Sequence, residues 1–255
     1  MRIQSPEVSL LRATFESRLK NRPRRVLGCF TALVLATLAV TGSIAVAQAP
    51  PAPQAPQSRF TVVLDAAHGG DDTGGHFKNG QLEKSLTLAF TTKLRSLLAA
   101  RGINVVTTRD SDATVDDNHR IEVANHAQAL ACLSLHAAES GSGVHLFASS
   151  LSPAPTAHLY PWKTAQAVWV TRSLALTGDL NSALQHASVA VTLGRTALPT
   201  LDSMACPAVA IEISPERIPE SATIKSAVDD PGYQTRVAEA IAAALLVWRS
   251  EAHQP

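Results

Sequence analysis

The chain has 255 residues, 45% of them hydrophobic and 4% aromatic, with 22 Lys and Arg against 21 Asp and Glu for a formal net charge of +1. That length holds one large or two small domains. No basic stripe interleaved with aromatics occurs, which argues against a nucleic-acid partner. The near-neutral total hides a division: residues 1–47 carry seven Lys or Arg and two Asp or Glu, which leaves about −4 for the remainder.

Arg18, Lys20, Arg22, Arg24 and Arg25 crowd the segment before residues 26–58, a run with no charged residue. A basic stretch, an apolar segment over 26–46 and the small residues Ala45-Val46-Ala47 have the layout of an export signal, with cleavage expected after Ala47. The apolar segment is also close to the ~20 residues that span a bilayer. Residues 1–47 are therefore expected to be a signal peptide or a membrane anchor, and the protein to be exported to the periplasm or cell envelope. Residues 48–58, rich in Pro, Ala and Gln, are expected to be an extended linker. Residues 59–255 then make one well-cored domain.

Within that domain, residues 60–65 predict a strand, an apolar run suited to burial on both faces. The loop 66–81 is rich in Gly, Asp and Asn. Residues 83–100 predict a helix, because Leu86, Phe90, Leu94, Leu97 and Leu98 recur at helical spacing. Arg101-Gly102 ends it, and a strand over 103–107 completes a β-α-β unit with a right-handed connection. Asp116 or Asp117 caps the next helix, which runs to about residue 128. Strands follow over 129–135 and 143–148, with a loop over 153–161. Residues 163–176 and 182–193 read as two helices, although Val189 and Val191 also suit a strand. Residues 208–213 are a short β-branched strand and 234–248 an amphipathic closing helix. The alternation implies a single α/β domain, a mostly parallel twisted sheet flanked by helices on both faces. Cys132 and Cys206 lie in apolar surroundings, where cysteine packs as a small hydrophobe. An oxidising compartment would permit a disulfide between them; the sequence leaves open whether they meet.

The stretch that organises the chain spans residues 61–83. Its strand stops near His68, Gly69 and Gly70 follow, and Glu83 opens a helix. A strand end facing a helix start is where open α/β sheets collect ligands. Taken alone, His68 also fits a solvated loop histidine, and Glu83 suits a first helical turn without any function.

Asp65-Ala66-Ala67-His68-Gly69-Gly70-Asp71-Asp72-Thr73-Gly74 with Glu83-Lys84 resembles the opening motif of the zinc-dependent N-acetylmuramoyl-L-alanine amidases of the Amidase_3 type. Thr108-Arg109, Arg120 with Ala124-Asn125, Ser134-Leu135-His136-Ala137, Pro207-Ala208-Val209-Ala210-Ile211-Glu212 and Tyr233-Gln234 follow in that family's order. The resemblance implies that His68, Glu83 and His136 hold one Zn²⁺ with a fourth position open, a His₂Glu set known for catalytic zinc. It implies that Glu212 is the general base, and that the bond cut joins N-acetylmuramic acid to L-alanine of peptidoglycan. Without the resemblance, Glu212 reads as a strand-end residue facing water or a partner of Arg195, and His136 as a histidine bonded to backbone.

Arg109, Arg120, Asn125 and Asp72 match further motif positions and are expected to hold loops and helix ends. His76, His119, His126, His145, His158 and His186 match no pattern and read as surface or core histidines. Tyr160, Trp162 and Trp169 suit either a helix packed on the sheet or the floor of a sugar site. Two departures stand out: Ala66-Ala67 where the family has Pro-Gly, and Ala138 where asparagine is common. The altered loop keeps open one alternative, a peptidoglycan-binding protein of the same fold without turnover; the second alternative is a zinc peptidase acting within the stem peptide. No residue pattern identifies an activating protein partner.

Overall fold

The computed structural model describes residues 60–155, 161–218 and 220–252. The expected leader, anchor and linker, together with Tyr160 and His158, lie outside the described residues. Six strands form one sheet: β1 (Thr61–Ala66), β2 (Asn104–Thr107), β3 (Ala131–Ala137), β4 (Val144–Ser149), β5 (Val191–Thr196) and β6 (Ala208–Ile213). Their order across the sheet is β2-β1-β3-β6-β4-β5. Every neighbouring pair is parallel except β4 with β6, which is antiparallel. A two-stranded ribbon, β7 (Glu216–Arg217) and β8 (Ile224–Ser226), follows the sheet.

Residues alternate between the two faces of each strand, and each face carries its own core. On one side Val62, Leu64, Leu133, Leu135, Val209 and Ile211 pack beneath three long helices. These are α1 (Glu83–Ala100), α3 (Val170–His186) and α5 (Pro231–Ala252). The α1 stripe of Leu86, Phe90, Leu94 and Leu98 is buried there, each side chain contributing about 1.5–3 kcal/mol of burial. On the other side Val63, Cys132, Ala208 and Ala210 meet Ala124 of α2 (Asp117–His126) and Leu201 of α4 (Pro199–Asp202). The Asp116 carboxylate caps α2 by accepting from the His119 N–H at 2.8 Å. Among the described residues no helix is long and apolar enough to cross a membrane.

Two expectations are corrected. Residues 163–176 and 182–193 are not two helices. A short 3-10 segment, Trp162–Val168, leads into the single helix α3, and residues 191–196 are the edge strand β5. Gly178 does not break α3, because Val170, Ser173, Leu176, Thr177, Leu180 and Leu184 stay buried at helical spacing on both sides of it. Beyond the helix Ser188 turns to φ 56° and frees Val191 to pair with Val144. The second correction concerns Arg195, which donates to the Ser149 and Leu151 carbonyls and is not the partner of Glu212.

Cys132 and Cys206 meet as a disulfide across 74 residues of sequence. It joins β3 to the segment entering β6, inside the smaller core.

Candidate metal centre

Strand β1 leads to one side of the sheet through α1 and β2, while its other neighbour is β3. The carboxyl ends of β1 and β3 therefore flank a topological switch point, the place where open α/β sheets bind ligands. His68 follows β1, His136 lies near the end of β3, and Glu83 is the first residue of α1. Side-chain donor atoms from these three residues lie within 4.8 Å of one another. His68 Nε2 is 3.1 Å from Glu83 Oε2, and His136 Nδ1 is 3.2 Å from Glu83 Oε1. The two imidazoles stand nearly perpendicular, at 87° with centroids 5.6 Å apart.

The loop between β1 and α1 is fixed at both ends. The Glu83 N–H donates to the Gly75 carbonyl at 2.8 Å, and the Lys84 ammonium donates to the Gly70 carbonyl at 2.7 Å. His68 itself takes φ 62°, a left-handed conformation sparsely used by non-glycine residues and often found at functional sites. Arg120 Nη2 donates to the His68 carbonyl at 2.8 Å, holding that conformation. Gly74, at φ +63°, passes so close that a Cβ there would lie 2.5 Å from His68 Cδ2 and 2.8 Å from Glu83 Oε2. Only glycine lets the loop wrap the two side chains this tightly.

Glu83 is buried, 7% exposed. Burial works against its charge, but contacts with His136 and His68 and N–H donors from Gly75 and Ala137 outweigh it and hold its carboxyl far below the usual range. His68 is pushed up, chiefly by the hydrogen bond to Glu83, against the opposing effect of burial and with help from Asp72. Asp72 Oδ2 accepts from His68 Nδ1 at 2.8 Å. That bond fixes the tautomer and turns Nε2 toward Glu83, as carboxylates behind metal-binding histidines do. It also keeps the Asp72 carboxyl below its ordinary value.

The other motif residues brace this arrangement. Asp65 accepts from Thr108 Oγ1, Arg120 Nη1 and Ser134 Oγ. Arg109 donates to the Ala66, Ala67 and Lys84 carbonyls, tying the end of β1 to α1. Asn125 accepts from the Ala205 N–H and donates to the Ser203 carbonyl. The two sequence departures are held through backbone: Ala67 N–H donates to Leu135, and Ala138 N–H to Ile213. A cavity of about 240 Å³ opens beside the centre. Asp65, His68, Asp72, Arg120, Ser134 and His136 are among the residues that line it, together with residues 198–201.

Glu212 is on β6, in register with His136 of β3 on one side and His145 of β4 on the other. Side chains in register share a face, so the three form a row across the sheet. Glu212 Oε1 accepts from His145 Nδ1 at 2.8 Å. His145 matches no motif. Its one trace in the sequence is an imidazole inside the apolar run Val144-His145-Leu146-Phe147, the same kind of interruption that singles out Glu212. The aromatics divide: Trp162 is 57% exposed and Trp169 half-buried, so the former does not pack on the sheet.

Two imidazoles and one buried carboxylate fit a borderline-soft divalent cation and match the His₂Glu set of open zinc sites. The family described as N-acetylmuramoyl-L-alanine amidase, Amidase_3, matches residues 62–247. N-acetylmuramoyl-L-alanine amidase AmiA of Escherichia coli K12 is 41% identical over 76 residues, 30% of this chain and 26% of that protein. AmiC of Escherichia coli O6:H1 is 31% identical over 145 residues, 52% of this chain and 35% of that protein. The chain thus spans about a quarter to a third of the length of these curated relatives. An N-acetylmuramoyl-L-alanine amidase from Clostridium difficile 630 shares the fold with TM-score 0.59 and 23% identity, over 76% of this chain and 98% of that one. Ami1 from Mycobacterium smegmatis does so with TM-score 0.60 and 20% identity, over 76% of this chain and 100% of that one.

Proposed function

The chain belongs to the N-acetylmuramoyl-L-alanine amidase family, Amidase_3, and from that premise we propose that it is a zinc-dependent hydrolase. Its substrate is peptidoglycan, cut at the amide between N-acetylmuramic acid and L-alanine, in wall remodelling or division. The observation that carries this reading is the convergence of His68, Glu83 and His136 within 4.8 Å, with Glu212 in register beside His136. Export to the periplasm or envelope is supported by the uncharged run over 26–58 behind a basic segment and by the Cys132–Cys206 disulfide, which suits an oxidising compartment.

His68, Glu83 and His136 would hold the metal, with Asp72 orienting His68. When bound, Zn²⁺ supplies a Lewis acid that polarises the scissile carbonyl and lowers the pKa of water. Glu212 takes a proton from the attacking water as the new C–O bond forms at the carbonyl carbon. It then delivers that proton to the leaving nitrogen as the C–N bond breaks. The second water proton stays on the new lactyl carboxylic acid, which ionises as the L-alanine amine becomes ammonium, so the products are a carboxylate and an ammonium group and atoms and charge balance.

Glu212→Gln tests this assignment, because it keeps the shape and removes the base. Zinc content should stay near one per chain, while turnover falls by about two to four orders of magnitude. A fully active, zinc-loaded variant would refute the role, and loss of the metal would make Glu212 a ligand instead.

A further inference from the structure

We propose that His145 is a positioning residue that aims the Glu212 carboxylate and keeps it off the metal set. The inference rests on the proposed hydrolase reading and adds to it a residue outside the matched motifs. Glu212 stands in register between two histidines, and only one of them, His145, hydrogen-bonds to it. Oε1 accepts from Nδ1 at 2.8 Å, and among the described residues Oε2 has no protein partner. The pair therefore divides the carboxylate: one oxygen is tethered, the other is left to exchange a proton. An untethered glutamate beside His136 can rotate toward the cationic centre and close the position that an open zinc site keeps for water.

His145 is itself held in place, which a tether requires. Its side chain is 16% exposed, and Phe147 meets its ring edge-on, at 83° and 6.4 Å between centroids. Behind the ring is Gly141, at φ +89°, where a Cβ would collide with His145 Cε1 and lie 2.9 Å from Nε2. A side chain at position 141 would therefore occupy the space of the imidazole, and glycine leaves room for it. Because the carboxylate can only accept, the bond requires the proton on Nδ1. A neutral amide at Asn can present an N–H at the same place.

The test compares wild type, His145→Ala and His145→Asn as zinc-loaded proteins on a soluble muropeptide. His145→Ala should lower kcat about ten- to a hundredfold, the scale of a misaimed catalytic group, with KM and zinc stoichiometry unchanged. His145→Asn should recover most of the loss. A purely structural pair would lower Tm and leave kcat alone, and that result, or an Asn variant no better than Ala, would overturn the proposal. A second measurement needs no turnover and so separates this idea from the amidase assignment. The ¹⁵N-attached Nδ1 proton of His145 should be visible in the metal-free wild type and shift or vanish in Glu212→Ala; an unchanged signal would overturn the tether. If wild type cleaves no muropeptide while this signal behaves as expected, the hydrolase reading falls and the tether stands.

Discussion

Replacing both Cys132 and Cys206 by alanine removes the bond that ties β3 to the segment entering β6. The two residues are 74 apart in sequence, and the loop-entropy relation gives about 4.5 kcal/mol at 25 °C for a loop of that length. For a domain of this size each kcal/mol moves Tm by ~2–4 °C, so the double variant should melt about 9–18 °C lower. Both cysteines are almost fully buried, and alanine, being smaller, enters either site without a clash, so the lost cross-link dominates the change. Circular dichroism melts of both proteins, with thiols counted in denaturant before and after reduction, measure the effect. Two titratable thiols in the unreduced protein beyond that of Cys29, or a Tm loss below ~2 °C, would refute the reasoning.

Arg120→Met should destabilise the fold by about 3–5 kcal/mol in urea unfolding, because it strands the buried Asp65 carboxylate and frees the His68 carbonyl. His68→Ala and His136→Ala should each sharply lower zinc content by elemental analysis, and unchanged stoichiometry in both would show the ligands misassigned. Glu216 predicts a pH effect: burial opposes its charge, but Lys225 and Arg236 outweigh it and hold its carboxyl below the ordinary value of 4.5. Its contribution is therefore present above that value and lost as pH falls through the lower folded one. The Tm gap between wild type and Glu216→Gln should be widest above pH ~5 and shrink in more acid buffer; a gap that widens on acidification would contradict the ion-pair assignment.

Much of the fold was legible because its elements carry unmixed signals. Leu86, Phe90, Leu94 and Leu98 repeat at helical spacing on α1, and Ala208–Ile213 is a short β-branched run, each found where expected. The stretch over residues 189–196 suits both periods, so only its pairing with β4 decides that it is a strand. The ribbon of β7 and β8 has too few residues to show any period. Within the candidate centre, His68, Glu83 and His136 were marked by ordered motifs, and they do converge. The Glu212–His145 bond was not legible, because it depends on β4 running antiparallel to β6, a fact of register with no local signature. The Cys132–Cys206 pairing is likewise a matter of tertiary placement.

The central claim is tested most directly by the products formed when the purified zinc-loaded protein meets defined muropeptides. Chromatography and mass spectrometry should find intact stem peptide with a free L-alanine amino group, together with peptide-free saccharide. A shortened stem peptide would make the protein a peptidase, and binding without any cleavage would make it a recognition protein; either result would contradict the account.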